Sequence, residues 1–153
     1  MYSEAHSIAK EWLIRGKQVT DPFYAIADFW RGFNYLYSSI SDGDERAKIK
    51  KYLGLNITNE QAQEMIDGNA SNIKYLLSEP VIDMRVNGKD TSQNIITFNS
   101  VTDPKAKVAE LFMIIYQVRC NLEHGQKSPN RHRDACLCAC AVPVISYVLE
   151  CNA

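Results

Sequence analysis

The sequence predicts an all-α fold, a helical bundle whose last two long helices form an antiparallel hairpin. Three observations carry that expectation. Apolar residues recur at spacings of three and four through most of the chain. Asp-Pro pairs stand at 21–22 and 103–104. An aspartate accepts hydrogen bonds from the open N–H groups of a first turn, and proline is tolerated at the first helical position, so each pair reads as a helix start. Finally, β-prone residues concentrate in one stretch only, 81–102.

The elements follow in order. A first helix is expected over residues 3–15, with Ile8, Trp12 and Ile14 at roughly helical spacing and Gly16 as its stop. A second starts at Asp21-Pro22 and turns Phe23, Ile26, Ala27, Trp30, Phe33 and Tyr37 to one side, ending near Ser41-Asp42-Gly43. A short helix from about Asp44 to Leu53 carries Glu45, Arg46, Lys48, Lys50 and Lys51 as a wet face. Thr58 with Gln61 three residues later is a capping-box signature. Helical pattern then continues in pieces to Leu77 until Pro80 stops it.

The stretch VIDMRVNGKDTSQNIITFNSVT differs. Asn87-Gly88 separates two β-prone pieces, VIDMRV and NIITF, so the segment reads either as a small hairpin or as an irregular excursion. After Asp103-Pro104 a long helix runs through Val108, Leu111, Phe112, Ile115, Val118 and Leu122 to a stop at Gly125. Ser128-Pro129-Asn130 makes a turn. Asn130 or a neighbour caps a last helix through Leu149, with a kink expected at Pro143.

The chain of 153 residues fits one domain with a real core, expected over 1–153. Apolar residues at 46% and charged residues at 23% exclude a disordered chain. A net charge of −1 supplies no global attraction to nucleic acid or to an anionic membrane, so any nucleic-acid site must be a local patch. No uninterrupted apolar run approaches the roughly 20 residues of a membrane helix, and no membrane partner is expected. The first residues lack a basic leader followed by an apolar core, so a secretory signal is not expected and the location reads as cytoplasmic. Five cysteines without framework spacing fit that compartment.

The chemistry concentrates at the foot of the long helix, in IIYQVRCNLEHGQKSPNRHRD. Arg119 and His124 are five positions apart, which on a regular helix is about 140°. They converge only if the helix unwinds at His124 or a second chain brings its own pair. An imidazole can take a proton from a ribose 2′-hydroxyl or return one to a leaving oxygen. A guanidinium can hold two phosphate oxygens and steady the charge that grows as phosphorus is attacked. The two suffice for RNA cleavage without metal or other cofactor, because the nucleophile belongs to the RNA. Around them stand Lys127, Arg131 and Arg133, with Glu123 the only acid between 119 and 133. That local surplus suits a phosphate backbone. On spacing alone, however, cations in a last helical turn need no function, since the macrodipole favours them.

At these residues the sequence resembles the HEPN superfamily of small helical-bundle proteins. Its signature is an arginine, four to six residues, then a histidine at the end of a long helix near the C-terminus; here that is Arg119-CNLE-His124. The wider string YQVRCNLEHGQKS is similar to uncharacterised bacterial members. The resemblance implies an HEPN-like bundle and a metal-independent endoribonuclease of toxin or defence type. It implies a homodimer with the motif at its interface, RNA as substrate, and an antitoxin or regulatory protein as a further partner. Arg119 and His124 would be the active-site pair. Cys120 stands where many members have a polar residue, and Asn121 follows one step later, as orienter of His124 or phosphate contact. Gln126 stands where a modified regulatory tyrosine often lies, so silencing by that route is not expected. The alternative is a catalytically silent module that binds a protein or nucleotide through the same cleft.

Other constellations read as structural. Cys136 and Cys140 share a helical face with His132 one turn earlier, but ligands on one straight helix rarely close a tetrahedron, so packing is expected over a metal site. The aromatic series of FYAIADFWRGFNYLY reads as core or buried dimer face rather than an RNA-stacking platform. Asp28 and Arg31 read as a surface pair worth little.

Overall fold

Local signals in the sequence are matched by hydrogen bonds at several helix starts. In a computed structural model, which describes residues 4–85, 88–123 and 132–152, eight helices follow one another and no strand is present among the described residues. Helix α1 spans Glu4–Lys17 and α2 spans Pro22–Tyr37. Asp21 caps α2 by accepting from the Phe23 N–H at 2.9 Å, with Pro22 in the first turn. Helix α3, Glu45–Asn56, starts behind Asp44, whose carboxylate accepts from the Ala47 N–H at 2.9 Å. Helix α4, Asn59–Gly68, has the capping box read from Thr58 and Gln61, with both reciprocal bonds formed. Helix α5 spans Ala70–Ser78.

The stretch after Pro80 resolves into two parts. Ile82 and Asp90 form an isolated antiparallel bridge, with the Asp83 N–H donating to the Lys89 carbonyl at 2.9 Å. The second β-prone piece is helical instead: α6 runs from Ser92 to Ser100 and contains all of NIITF. Tertiary packing outweighs β-propensity here. Phe98 is buried and Ile95 half-buried, and α6 lies along α7. Asn94 donates to Glu110 at 2.8 Å, and the Lys107 ammonium donates to the Phe98 carbonyl at 2.7 Å.

Helix α7, Pro104–Glu123, begins as expected, with Asp103 accepting from the Ala106 N–H at 3.0 Å. Helix α8 spans His132–Asn152 with Pro143 inside it. The expected helix stop at Gly125 and cap at Asn130 lie outside the described residues.

One hydrophobic cluster draws on all eight helices, from Ala9 in α1 to Leu149 in α8. Phe33 sits at its aromatic centre, with ring centroids 5.2 Å from Trp30, 5.0 Å from Tyr37 and 5.2 Å from Phe112. These contacts confirm Trp30, Phe33 and Tyr37 as core; Phe23 is half-buried. Helix α2 is the hub, packing on α1 and α8, while α7 packs on α3, α4 and α6. Gly16 is not a helix stop. It lies buried inside α1, where a Cβ would come within 2.8 Å of the Phe29 ring. Its lack of a side chain is what lets α1 approach α2.

Two expectations from the sequence change. Asp28 is buried rather than at the surface, and two guanidiniums reach it, Arg31 at 2.9 Å and Arg15 at 3.7 Å. Both arginines also stack on Trp12. In addition, α8 is long and apolar enough to cross a membrane by length and composition, with a mean hydropathy of 1.6. Counting uninterrupted apolar residues missed this, because Pro143 and Ser146 break the run between Ala135 and Leu149 while lowering the average little. In this structure Leu137, Ala141, Val144, Ile145, Val148 and Leu149 bury one stripe of α8 in the bundle.

Candidate functional site

The last two turns of α7 carry two polar stripes on different faces. Residues four apart share a face, and residues two apart do not. One stripe therefore holds Tyr116, Arg119 and Glu123, and the other holds Gln117 and Asn121.

The first stripe faces α2 and α3. Arg119 keeps only 23% of its side chain exposed. Its Nη1 lies 2.8 Å from the Glu123 carboxylate one turn later and 3.9 Å from that of Glu45 at the start of α3. The guanidinium carbon stands 5.8 Å from the centroid of the Trp30 ring. Glu45 is itself gripped. Tyr116 donates to its Oε2 at 2.8 Å and Tyr37 donates to its Oε1. Arg46, the next residue of α3, stacks its guanidinium 4.7 Å over the Tyr116 ring and donates to Gln117 at 3.2 Å.

The electrostatics of this group follow from burial and contact. Burial would raise the Glu45 carboxyl pKa, but the two phenol donors and the guanidiniums of Arg119 and Arg46 outweigh it, and the net shift is downward. Burial, followed by the bond to Glu45, pushes Tyr37 and Tyr116 well above the ordinary phenol range. Both therefore remain O–H donors wherever the protein is folded near neutrality. The neighbouring Cys120 is buried, and burial raises its thiol pKa.

Beside Arg119 a cavity of about 580 Å³ opens between α2 and the end of α7. That is within the usual range for a small-ligand site, roughly 300–1,000 Å³. Phe23, Tyr24, Trp30 and Leu122 contribute its apolar walls, and Arg31, Arg119 and Glu123 contribute charge. Tyr24 is 70% exposed, so its ring is open to solvent.

The second stripe is structural. Asn121 is 0% exposed. Its amide donates to the Ile82 carbonyl at 2.8 Å, and its Oδ1 accepts from Gln117 at 3.0 Å and from the Met84 N–H at 3.4 Å. It thus pins the bridged loop after Pro80 to α7, and no atom of it is open to a phosphate. The expected roles of Asn121 were orienter of His124 or phosphate contact; here its amide is engaged with Gln117 and the loop after Pro80, on a different face of α7 from Arg119.

Arg133 is held elsewhere. It donates to the Glu79 carbonyl at 3.0 Å, pairs with the Glu79 carboxylate at 3.7 Å and stacks on Tyr75 of α5. His124, Lys127 and Arg131 lie outside the described residues. In the cysteine stripe, the Cys136 thiol lies 3.4 Å from His132 Nε2, and Cys138 is buried with its thiol pKa pushed up to about 12 by that burial. Among the described residues no group of three His, Cys, Asp or Glu side chains is arranged to hold a metal ion.

Sequence reasoning missed Glu45, which it placed on a wet face of α3. Tyr116 and Gln117 did leave a signal. They are polar-tipped residues inside an otherwise apolar run, and a buried phenol needs a partner. What the sequence lacked was any way to name that partner, 71 residues away.

Comparison with known proteins returns no match: no family model, no curated protein and no solved structure is matched by this chain.

Proposed function

We propose that this chain is a metal-independent endoribonuclease of the HEPN type, belonging to a toxin or defence system. It acts as a homodimer in which two Arg119–His124 pairs face one cleft. The RNA 2′-hydroxyl attacks the adjacent phosphorus, and the bond to the 5′-oxygen breaks. His124 takes the hydroxyl proton or protonates the leaving oxygen. Arg119 binds the phosphate and steadies the extra negative charge on its oxygens. Lys127 and Arg131 guide the RNA backbone, and Arg133, tied to Glu79, contributes less. In this reading the last two long helices form the antiparallel hairpin of an HEPN-like bundle. The protein works in the cytoplasm, with an antitoxin or regulatory protein as partner.

The observation that carries the proposal is Arg119 itself. It comes from the last turns of a long helix and stands at the edge of a cavity, with an aromatic face against its guanidinium. A solvated helix-end cation would not need this setting.

The test is incubation of the purified protein with RNA in EDTA, alongside His124→Ala and Arg119→Ala. Cleavage by wild type alone is expected, with each variant reduced by about a hundredfold or more. Cleavage that persists in both variants, or that requires metal, would sink the proposal.

One observation favours the alternative, a silent module binding a protein or nucleotide at the same place. Glu123 already sits 2.8 Å from Arg119, and the cavity wall is largely apolar. Overexpression separates the readings. Growth arrest by wild type and not by His124→Ala supports the enzyme; intact RNA and no arrest in either supports the module.

A further inference from the structure

We propose that Glu45 is a positioning residue for Arg119, holding the guanidinium in its working direction before any RNA arrives; this rests on the ribonuclease reading above. Arg119 has two carboxylate neighbours, and they differ in kind. Glu123 is on the same helix, 52% exposed, and forms an i,i+4 pair of the sort that holds weakly in water. Glu45 comes from another helix, stands 3.9 Å from the guanidinium with 38% of its side chain exposed, and is held by partners of its own. Each of its oxygens takes a phenol O–H, one from Tyr37 of α2 and one from Tyr116 of α7. Three helices thus meet on one carboxylate, and its charge stands at a fixed place beside Arg119.

The consequence for the arginine is directional. A long side chain with a planar fork binds phosphate well only when the fork is already aimed. The guanidinium stands over the Trp30 ring, reaches Glu45 at 3.9 Å and borders the cavity. Trp30 belongs to the cavity wall and Glu45 does not, so the carboxylate can hold the guanidinium from outside the space an occupant would fill. Both phenols stay protonated and Glu45 stays ionised around neutrality, so the arrangement persists across the working range. Preorganisation of this kind shows mainly in kcat, because an unaimed clamp still binds but stabilises the transition state poorly.

The experiment compares wild type, Glu45→Gln and Tyr116→Phe as full chains, with two readouts. Steady-state cleavage of RNA in EDTA over a range of RNA concentrations gives kcat and KM separately. Side-chain NMR follows the Arg119 Nε–H resonance, assigned by its loss in Arg119→Lys. Glu45→Gln is expected to lower kcat by about tenfold to a hundredfold, with KM changed by no more than about threefold. Tyr116→Phe keeps the charge and removes one donor, so a smaller loss in the same direction is expected. Unchanged kcat in both variants, or a change confined to KM, overturns the proposal. If wild type fails to cleave RNA, the ribonuclease reading falls, and the holding role is judged on the resonance alone. A resolved Arg119 signal that collapses toward the solvent-exposed position in Glu45→Gln supports it; a signal unmoved in both variants overturns it.

Discussion

Asn121 shows what a single buried amide does at the end of α7. Its three hydrogen bonds join Gln117, the Ile82 carbonyl and the Met84 N–H, so the loop after Pro80 is tied to the helix that carries Arg119. Asn121→Ala would strand these partners, two of them on the backbone. A loss of about 2–4 kcal/mol is expected, read as a fall in Tm of roughly 5–10 °C for a chain of this size. A Tm within a degree of wild type would show that water replaces the amide without cost. Glu45 illustrates the opposite case, a residue whose importance comes wholly from outside its own helix. In sequence it is one charge among several on a short polar helix. In the fold, Tyr37, Tyr116 and Arg119 converge on it. Arg119 and Asn121, grouped by their closeness in the chain, part company because a helix turns two successive odd positions to opposite sides.

At the scale of elements, the contact between α1 and α2 depends on small residues. Gly16 meets the Phe29 ring, and Gly32 meets the Ala9 carbonyl and the Trp12 Cβ at 3.1 Å. Gly16→Ala gains up to about 1 kcal/mol of helix propensity but pushes a methyl against a packed ring, which costs about 1–3 kcal/mol. Net destabilisation is expected. Gly54→Ala in α3 is the matched control, because nothing lies within 4 Å of its Cβ position. There the propensity gain of roughly 0.5–1 kcal/mol should appear undiminished. Denaturant midpoints moving in opposite directions for the two variants would confirm the contrast; a gain at Gly16 would refute the close approach. Helix starts were legible in the sequence at Asp21-Pro22, at Thr58 with Gln61, and at Asp103-Pro104. Each depends on a side chain bonding to backbone within three residues. Helix α6 was not legible, because Ile95, Ile96 and Thr97 favour strands locally and only packing along α7 overrides them.

The whole molecule carries a pH signature from the Glu45 cluster. The Glu45 carboxyl has its folded pKa below its ordinary value of 4.5. Its contribution to stability is therefore fully present above about 4.5 and fades as pH falls through the lower folded value. Thermal unfolding of wild type should lose stability over that acid range. Glu45→Gln should start lower near neutrality and show a flatter dependence as pH falls below about 4.5. Parallel curves would mean that the carboxylate adds nothing to folding.

By itself the sequence determined that the chain is helical, where several helices begin, and that Trp30, Phe33 and Tyr37 of α2 enter the core, though not that Phe29 does. These depend on periodicity and on bonds between near neighbours. It also singled out Arg119. Only the tertiary structure decided what surrounds that arginine: the Trp30 ring, the phenol-held Glu45, the cavity between α2 and α7, and the diversion of Asn121 to the far loop. Those contacts join residues distant in the chain. Their energy depends on how α2, α3 and α7 dock against one another, and no local pattern of residues encodes that docking.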